Sequence, residues 1–87
     1  MPSVELFGQA RILAGRKEVT VEANSIRDAL AELASRCPSL VGPVLDGTGA
    51  PTPAYTLNLN GARFIGDLDE ALAEGDSLLV ISSLSGG

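Results

Sequence analysis

At 87 residues, 45% hydrophobic and 20% charged, the chain has room for one domain with a modest core and is too apolar to stay disordered. A net charge of −5 excludes the basic footprint that nucleic acid or an anionic membrane surface requires, and favours a partner with a basic face. With no His and one Cys, the chain excludes a zinc site or iron–sulfur cluster of its own, a histidine-dependent catalytic set and an intrachain disulfide, which points to a reducing cytoplasm.

The opening "MPSVELFG" has neither a basic region nor a sustained apolar run, so no signal peptide is expected. Nothing approaches the ~20 apolar residues of a membrane span. Val4 and Leu6 alternate with Glu5 as in a strand, "AGR" at 14–16 reads as a turn, and "KEVTVEA" alternates again through Val19 and Val21. Two alternating runs around a glycine turn predict a hairpin. "NSIRDALAELASRCP" is the clearest helix: Ser25 caps it, Asp28 complements its positive end, Ile26, Leu30, Leu33 and Cys37 share one stripe, and Pro38 ends it.

"SLVGPVLD" reads as a broken apolar stretch with a helical turn on each side of Gly42-Pro43, and "DGTGAPTPA" as a surface loop. In "YTLNLNGARFI", Leu57 and Leu59 oppose Asn58 and Asn60, and Asn60-Gly61 signals a tight turn. Leu68 and Leu72 could anchor a short helical turn in "DLDEALAEGD". "SLLVIS" has the continuous apolar character of a central strand covered on both faces or nearly so. One helix among strands predicts an α+β layer, a small mixed sheet over one main helix, with Leu30 and Leu33 at its centre.

Few residues here are equipped for chemistry. Cys37 lies on the apolar stripe of the helix and reads as a small buried hydrophobe. The carboxylates occupy polar positions of strands, helix and turns, the cations are scattered, and no phosphate-binding motif is present. The tail is different. Ser83, Leu84, Ser85, Gly86 and Gly87 follow directly from the last strand, so the root is fixed and the end free, dividing the chain into a domain of residues 1–82 and a flexible tail of residues 83–87. Five extended residues reach roughly 17 Å. Two glycines add no bulk, so the thread fits a narrow tunnel and presents an unhindered Gly87 carboxylate.

With that ending, the chain resembles the MoaD/ThiS family of ubiquitin-like sulfur carriers. "EGDSLLVISSLSGG" resembles the family's Gly-Asp turn, last strand and Gly-Gly terminus. "LNLNGARF" resembles its Asn-bearing third strand, and "LFGQARILAG" resembles the first strand and turn of the MoaD branch, the small subunit of molybdopterin synthase. The resemblance spans nearly the whole chain and implies the ubiquitin-like β-grasp fold. It also implies a carrier rather than an enzyme: an adenylating partner, using ATP, activates the Gly87 carboxylate, a sulfur donor displaces AMP, and the resulting thiocarboxylate is carried to a sulfur-accepting enzyme. The chain itself binds no cofactor or metal.

Two features bear on the branch. Ser82-Ser83 stands where family members often have proline, a departure that implies a looser tail root or a different partner, and the middle loop, longer than in thiamine carriers, favours the molybdopterin branch or the carriers serving amino-acid biosynthesis. The leading expectation is a molybdopterin synthase small subunit acting in molybdenum cofactor biosynthesis beside the large subunit. Carriers for cysteine, thiamine or another thio-metabolite, and a ubiquitin-like protein modifier, are the alternatives, and a plain interaction module with an idle tail is the third. The partner interface is expected near the tail root on the exposed sheet face, with Phe7 and Leu84 in it.

Overall fold

The computed structural model describes residues 1–83. Strands β1 (Ser3–Leu6), β2 (Glu18–Thr20), β3 (Tyr55–Leu59), β4 (Arg63–Ile65) and β5 (Ser77–Ser82) form one sheet in the order β2-β1-β5-β3-β4. β1 and β5 are parallel and every other neighbouring pair is antiparallel, so the expected mixed sheet is present. Helix α1 (Gly8–Ala14) links β1 to β2, and α2 (Ile26–Arg36) lies on the sheet's inner face.

The cap and stripe of α2 follow the sequence. The Ser25 hydroxyl accepts from the Asp28 N–H at 3.1 Å, and Ile26, Ala29, Leu30 and Leu33 are all fully buried. They join Val4, Leu6, Val19, Leu57, Leu78 and Val80 in one aliphatic core. Cys37 follows the helix and is buried there as a free thiol.

Three local expectations are corrected. β1 and β2 pair as expected, but their connection is a helix, not a simple turn. Only Ala10 of α1 is buried, so its apolar period is too weak to read. Its end is nonetheless well made: Gly15 adopts φ 72°, and its N–H donates to the Arg11 carbonyl at 3.0 Å, a left-handed cap open to glycine.

The second correction concerns residues 66–72, which form no helical turn. The carbonyls of Leu68 and Glu70 instead accept from Arg27 and Ile26 at 2.8 and 3.0 Å, satisfying the first donors of α2. Leu72 is still buried and Leu68 still packs on the core. Two ion pairs, Arg27–Asp69 at 2.9 Å and Arg63–Glu70, hold this segment from outside. Around Gly42-Pro43, likewise, a 3₁₀ turn (Pro38–Leu40) precedes the pair and plain turns follow it. There Asp46 organises the loop by accepting from the Thr48 hydroxyl and N–H at 2.6 and 2.8 Å, which holds its carboxyl below the ordinary aspartate range.

The third correction is the most consequential. β5 is central by hydrogen bonding, but it is not covered on both faces. Leu78 and Val80 point into the core, while Leu79 and Ile81 are only half-buried on the outer face.

Candidate functional site

Because side chains alternate along a strand, the register places opposed residues in rows on the sheet's outer face. One row crosses all five strands: Glu18, Glu5, Leu79, Asn58 and Phe64. A second pairs Ile81 with Thr56. The outer face thus grades from two carboxylates at the β2 edge to an apolar patch at the β4 edge, where Phe64 is 68% exposed.

Asn58 sits inside that patch at 7% exposure, and its Oδ1 has no hydrogen-bond partner among the described residues. A buried acceptor left unpaired costs about 1–3 kcal/mol, so the amide weakens the free protein. Asn58→Leu is therefore expected to raise the urea midpoint, equivalent to a gain of about 1 kcal/mol, measured by equilibrium unfolding. An unchanged or lower midpoint would mean that bound water satisfies the amide.

The root of the tail lies at the edge of this face. Ser82 aligns with Tyr55, and the Ser83 N–H donates to the Ala54 carbonyl at 2.7 Å. Ser83 is thus tied to the body of the domain. Beside it, residues 50–51, β3 and β4 enclose an apolar cleft of about 400 Å³ lined by Pro51, Tyr55, Phe64 and Leu68. Leu84, Ser85, Gly86 and Gly87 lie outside the described residues.

Phe7 caps α1 in an extended conformation and is half-buried, with the Arg11 guanidinium 5.6 Å from its ring centroid. It follows Leu6, which pairs with Val80 two positions before Ser82. Phe7 therefore lies at the end of the sheet at which β5 leaves for the tail, at the start of α1. Phe64, Leu79 and Ile81 are the surface residues that sequence reading missed. The signal was available: in "SLLVIS", positions 79 and 81 fall one residue out of phase with the core positions 78 and 80.

Among the described residues, no group of three or more His, Cys, Asp or Glu could hold a metal, and no helix is long and apolar enough to cross a membrane. The described part of the site is an exposed, largely apolar surface beside Ser83.

The comparisons with known proteins fit this geometry. The ThiS family model matches residues 4–87, through the paired glycines. SAMP1, a small archaeal modifier protein from Haloferax volcanii, superposes with a TM-score of 0.83 at 28% identity, covering 99% of this chain and 98% of that one. A putative molybdopterin converting factor subunit 1 from Pyrococcus furiosus superposes with a TM-score of 0.71 at 26% identity, covering 93% and 94%. CysO from Mycobacterium tuberculosis, at 18% identity and a TM-score of 0.77 over 94% and 98%, shares the fold. No curated protein matches the chain. The architecture is the ubiquitin-like β-grasp.

Proposed function

The chain belongs to the ThiS family of ubiquitin-like carriers, which are not themselves catalysts, and from that premise we propose that it carries sulfur as a thiocarboxylate on Gly87. The observation that carries the reading is the match through Gly86 and Gly87, on a tail whose root at Ser83 is pinned beside an exposed apolar face. A partner adenylates the Gly87 carboxylate with ATP. Hydrosulfide attacks the acyl carbon, AMP leaves carrying one carboxyl oxygen, and a thiocarboxylate and a proton result. The thiocarboxylate sulfur then attacks the acceptor enzyme's substrate, and water hydrolyses the acyl–sulfur bond, leaving the sulfur on that substrate and returning the carboxylate. Phe7, Phe64 and Leu79 offer the body of the domain to each partner, while Leu84 and Ser85, rooted at Ser83, thread the glycines into its active site.

Within the family, we assign the chain to the molybdopterin synthase small subunit, supported by its likeness to the Pyrococcus furiosus subunit. A second reading has its own support: the 28% identity with SAMP1 over 99% of the chain favours a modifier whose Gly87 is joined to a lysine on a target protein. Activation is the same for both.

The test is the intact mass of the protein co-expressed with its adenylating enzyme and sulfur source. A gain equal to one sulfur for one oxygen, absent after deletion of Gly86-Gly87, establishes the thiocarboxylate. Lysine conjugates without that gain establish the modifier. Neither product, with an active adenylating enzyme, sinks both readings and leaves an interaction module.

A further inference from the structure

Two features of the outer sheet face weaken the free protein, and they lie in one row. Glu5 and Glu18 stand directly opposite each other on β1 and β2. Like charges in a cross-strand pair repel. Neither carboxylate belongs to an ion pair among the described residues, and Lys17, although next to Glu18 in the chain, pairs with neither. Farther along the row, Asn58 is 7% exposed, and its Oδ1 has no hydrogen-bond partner among the described residues. The register sets Leu79 on one side of it and Phe64 on the other. The one cation in any strand, Arg63, falls out of phase with Phe64 and pairs with Glu70. The strands therefore present this face with acceptors and no cation.

The fold needs neither feature. A threonine in place of either glutamate would suit a strand, and a leucine at position 58 would continue the patch of Leu79 and Phe64. Both costs disappear against a single kind of surface. A guanidinium over Glu5 and Glu18 would bridge the two carboxylates, and an N–H over Asn58 would satisfy its oxygen. Strands lie about 4.8 Å apart, so Glu5 and Asn58, on β1 and β3 with β5 between them, are about 10 Å apart along the row. The Oδ1 atom is closed to water in the free chain. Because it holds no hydrogen bond, half a turn of the amide brings it toward the surface without breaking one there.

We propose that Asn58 and the Glu5–Glu18 pair are the specificity determinants of this face, and that they read the adenylating enzyme: an arginine or lysine over the carboxylates and, about 10 Å away in an apolar surround, a hydrogen-bond donor over the amide. The inference rests on the carrier reading, and the choice of partner follows from it. The sulfur acceptor and the protein target differ between the two readings, whereas both require adenylation of Gly87. Charge complementarity selects a basic surface on that enzyme, since a face with carboxylates and no cation is steered toward one. Leu79 and Phe64 supply apolar contact that many surfaces can match. The amide and the carboxylates reject surfaces that lack the donor and the cation.

The test titrates the full chain into the adenylating enzyme from the same organism, without ATP, by calorimetry at two salt concentrations. Adenylate formation with ATP is followed separately, and urea midpoints are measured for each variant. Asn58→Leu is expected to weaken binding about tenfold or more while it raises the urea midpoint. Asn58→Asp, which keeps the acceptor, should bind more tightly than Asn58→Leu. Glu5→Gln with Glu18→Gln is expected to weaken binding about tenfold at low salt without lowering the midpoint. That difference should shrink as salt shortens the Debye length to about 8 Å or less. A purely structural residue would lose stability and affinity together, whereas these sites should lose affinity alone.

If the wild type forms adenylate and either the leucine variant or the double glutamine variant binds as tightly as wild type, the proposal is wrong and the carrier reading stands. A loss of affinity that accompanies a loss of stability in those variants also overturns it. If wild type binds with the expected dependence on Asn58, Glu5 and Glu18 but forms no adenylate, the carrier reading fails and the face stands. If wild type does not bind the enzyme, both fall.

Discussion

Replacing Leu30 by Ala is expected to remove about 2–5 kcal/mol of stability. At ~0.05–0.15 kcal/mol per residue, a domain of this size holds about 4–13 kcal/mol in total, so the variant sits near its unfolding threshold. Leu30 is fully buried on α2, in the same cluster as Leu57, Leu78 and Val80 of the sheet. The buried members of that cluster are all aliphatic apart from the Cys37 thiol, so no buried ring stands ready to fill the space. The cost therefore includes the cavity as well as the lost transfer energy. Urea unfolding checks it: the midpoint should fall with the slope unchanged. Ile12→Ala, on the exposed face of α1, should move the midpoint by no more than about 0.5 kcal/mol. Equal effects at the two positions would mean that α2 does not carry the core.

Breaking the clasp between Asn60 and Asp76 is expected to have the second-largest effect. Asn60 ends β3 at φ 59°, in the left-handed region, followed by Gly61 at φ 72°. Its side chain donates to Asp76 at 3.1 Å and accepts from the Ser77 N–H at 2.7 Å. The other oxygen of Asp76 accepts from the Ala73 N–H at 2.8 Å. These bonds fasten the β3–β4 turn to the start of β5, two segments far apart in sequence. Asn60→Ala loses both side-chain bonds and keeps a strained backbone without asparagine's tolerance for it. The expected loss is about 2–3 kcal/mol by chemical unfolding. Asn60→Gly relieves the backbone but not the bonds, so it should recover part of that loss. A glycine variant no better than alanine would assign the whole effect to the hydrogen bonds.

The same clasp predicts a pH dependence. The Ala73 N–H, then the Asn60 amide, holds the Asp76 carboxyl below its ordinary 3.8. A depressed carboxyl stabilises the fold above its unfolded value, and that contribution disappears as pH falls through the folded value. Asp76→Asn should therefore lower the melting temperature at pH 7. The gap from wild type should narrow only below pH 3.8. A gap that is constant across that range would remove ionisation from the explanation.

The clasp also gives a physical meaning to two motifs that the sequence presents separately. "LNLNG" and "EGD" lie some fifteen residues apart and carry the family resemblance, yet neither Asn60 nor Asp76 belongs to the outer face or the tail root. Their work is to set where β5 begins. Since β5 runs from Ser77 to Ser82 and delivers Ser83 to the Ala54 carbonyl, that starting point also determines where the tail leaves the domain. The outer patch at Phe64, Leu79 and Ile81 then lies beside the exit, and the Asn58 Oδ1 within it has no hydrogen-bond partner among the described residues. An unsatisfied polar group at such a place is the kind of local conflict expected of a functional surface.

What the sequence determined by itself is the part that depends on periodicity and local chemistry. Ser25, the stripe of Ile26, Leu30 and Leu33, and Pro38 specify α2 without reference to anything distant. The alternation around Leu57 and Leu59 and the Asn60-Gly61 pair specify a turning strand in the same way. The paired glycines, with the turn and strand before them, were enough to point to a carrier. The tertiary structure alone decided three things. It made α1 a helix, because a helix that buries only Ala10 has almost no apolar period and is stabilised by its Gly15 cap and by its neighbours. It drew residues 66–72 across the start of α2, because the unpaired N–H groups of Ile26 and Arg27 competed successfully for the carbonyls of Glu70 and Leu68. And it left Leu79 and Ile81 facing outward, because the run in β5 records hydrophobicity on both faces while only one helix layer covers the sheet.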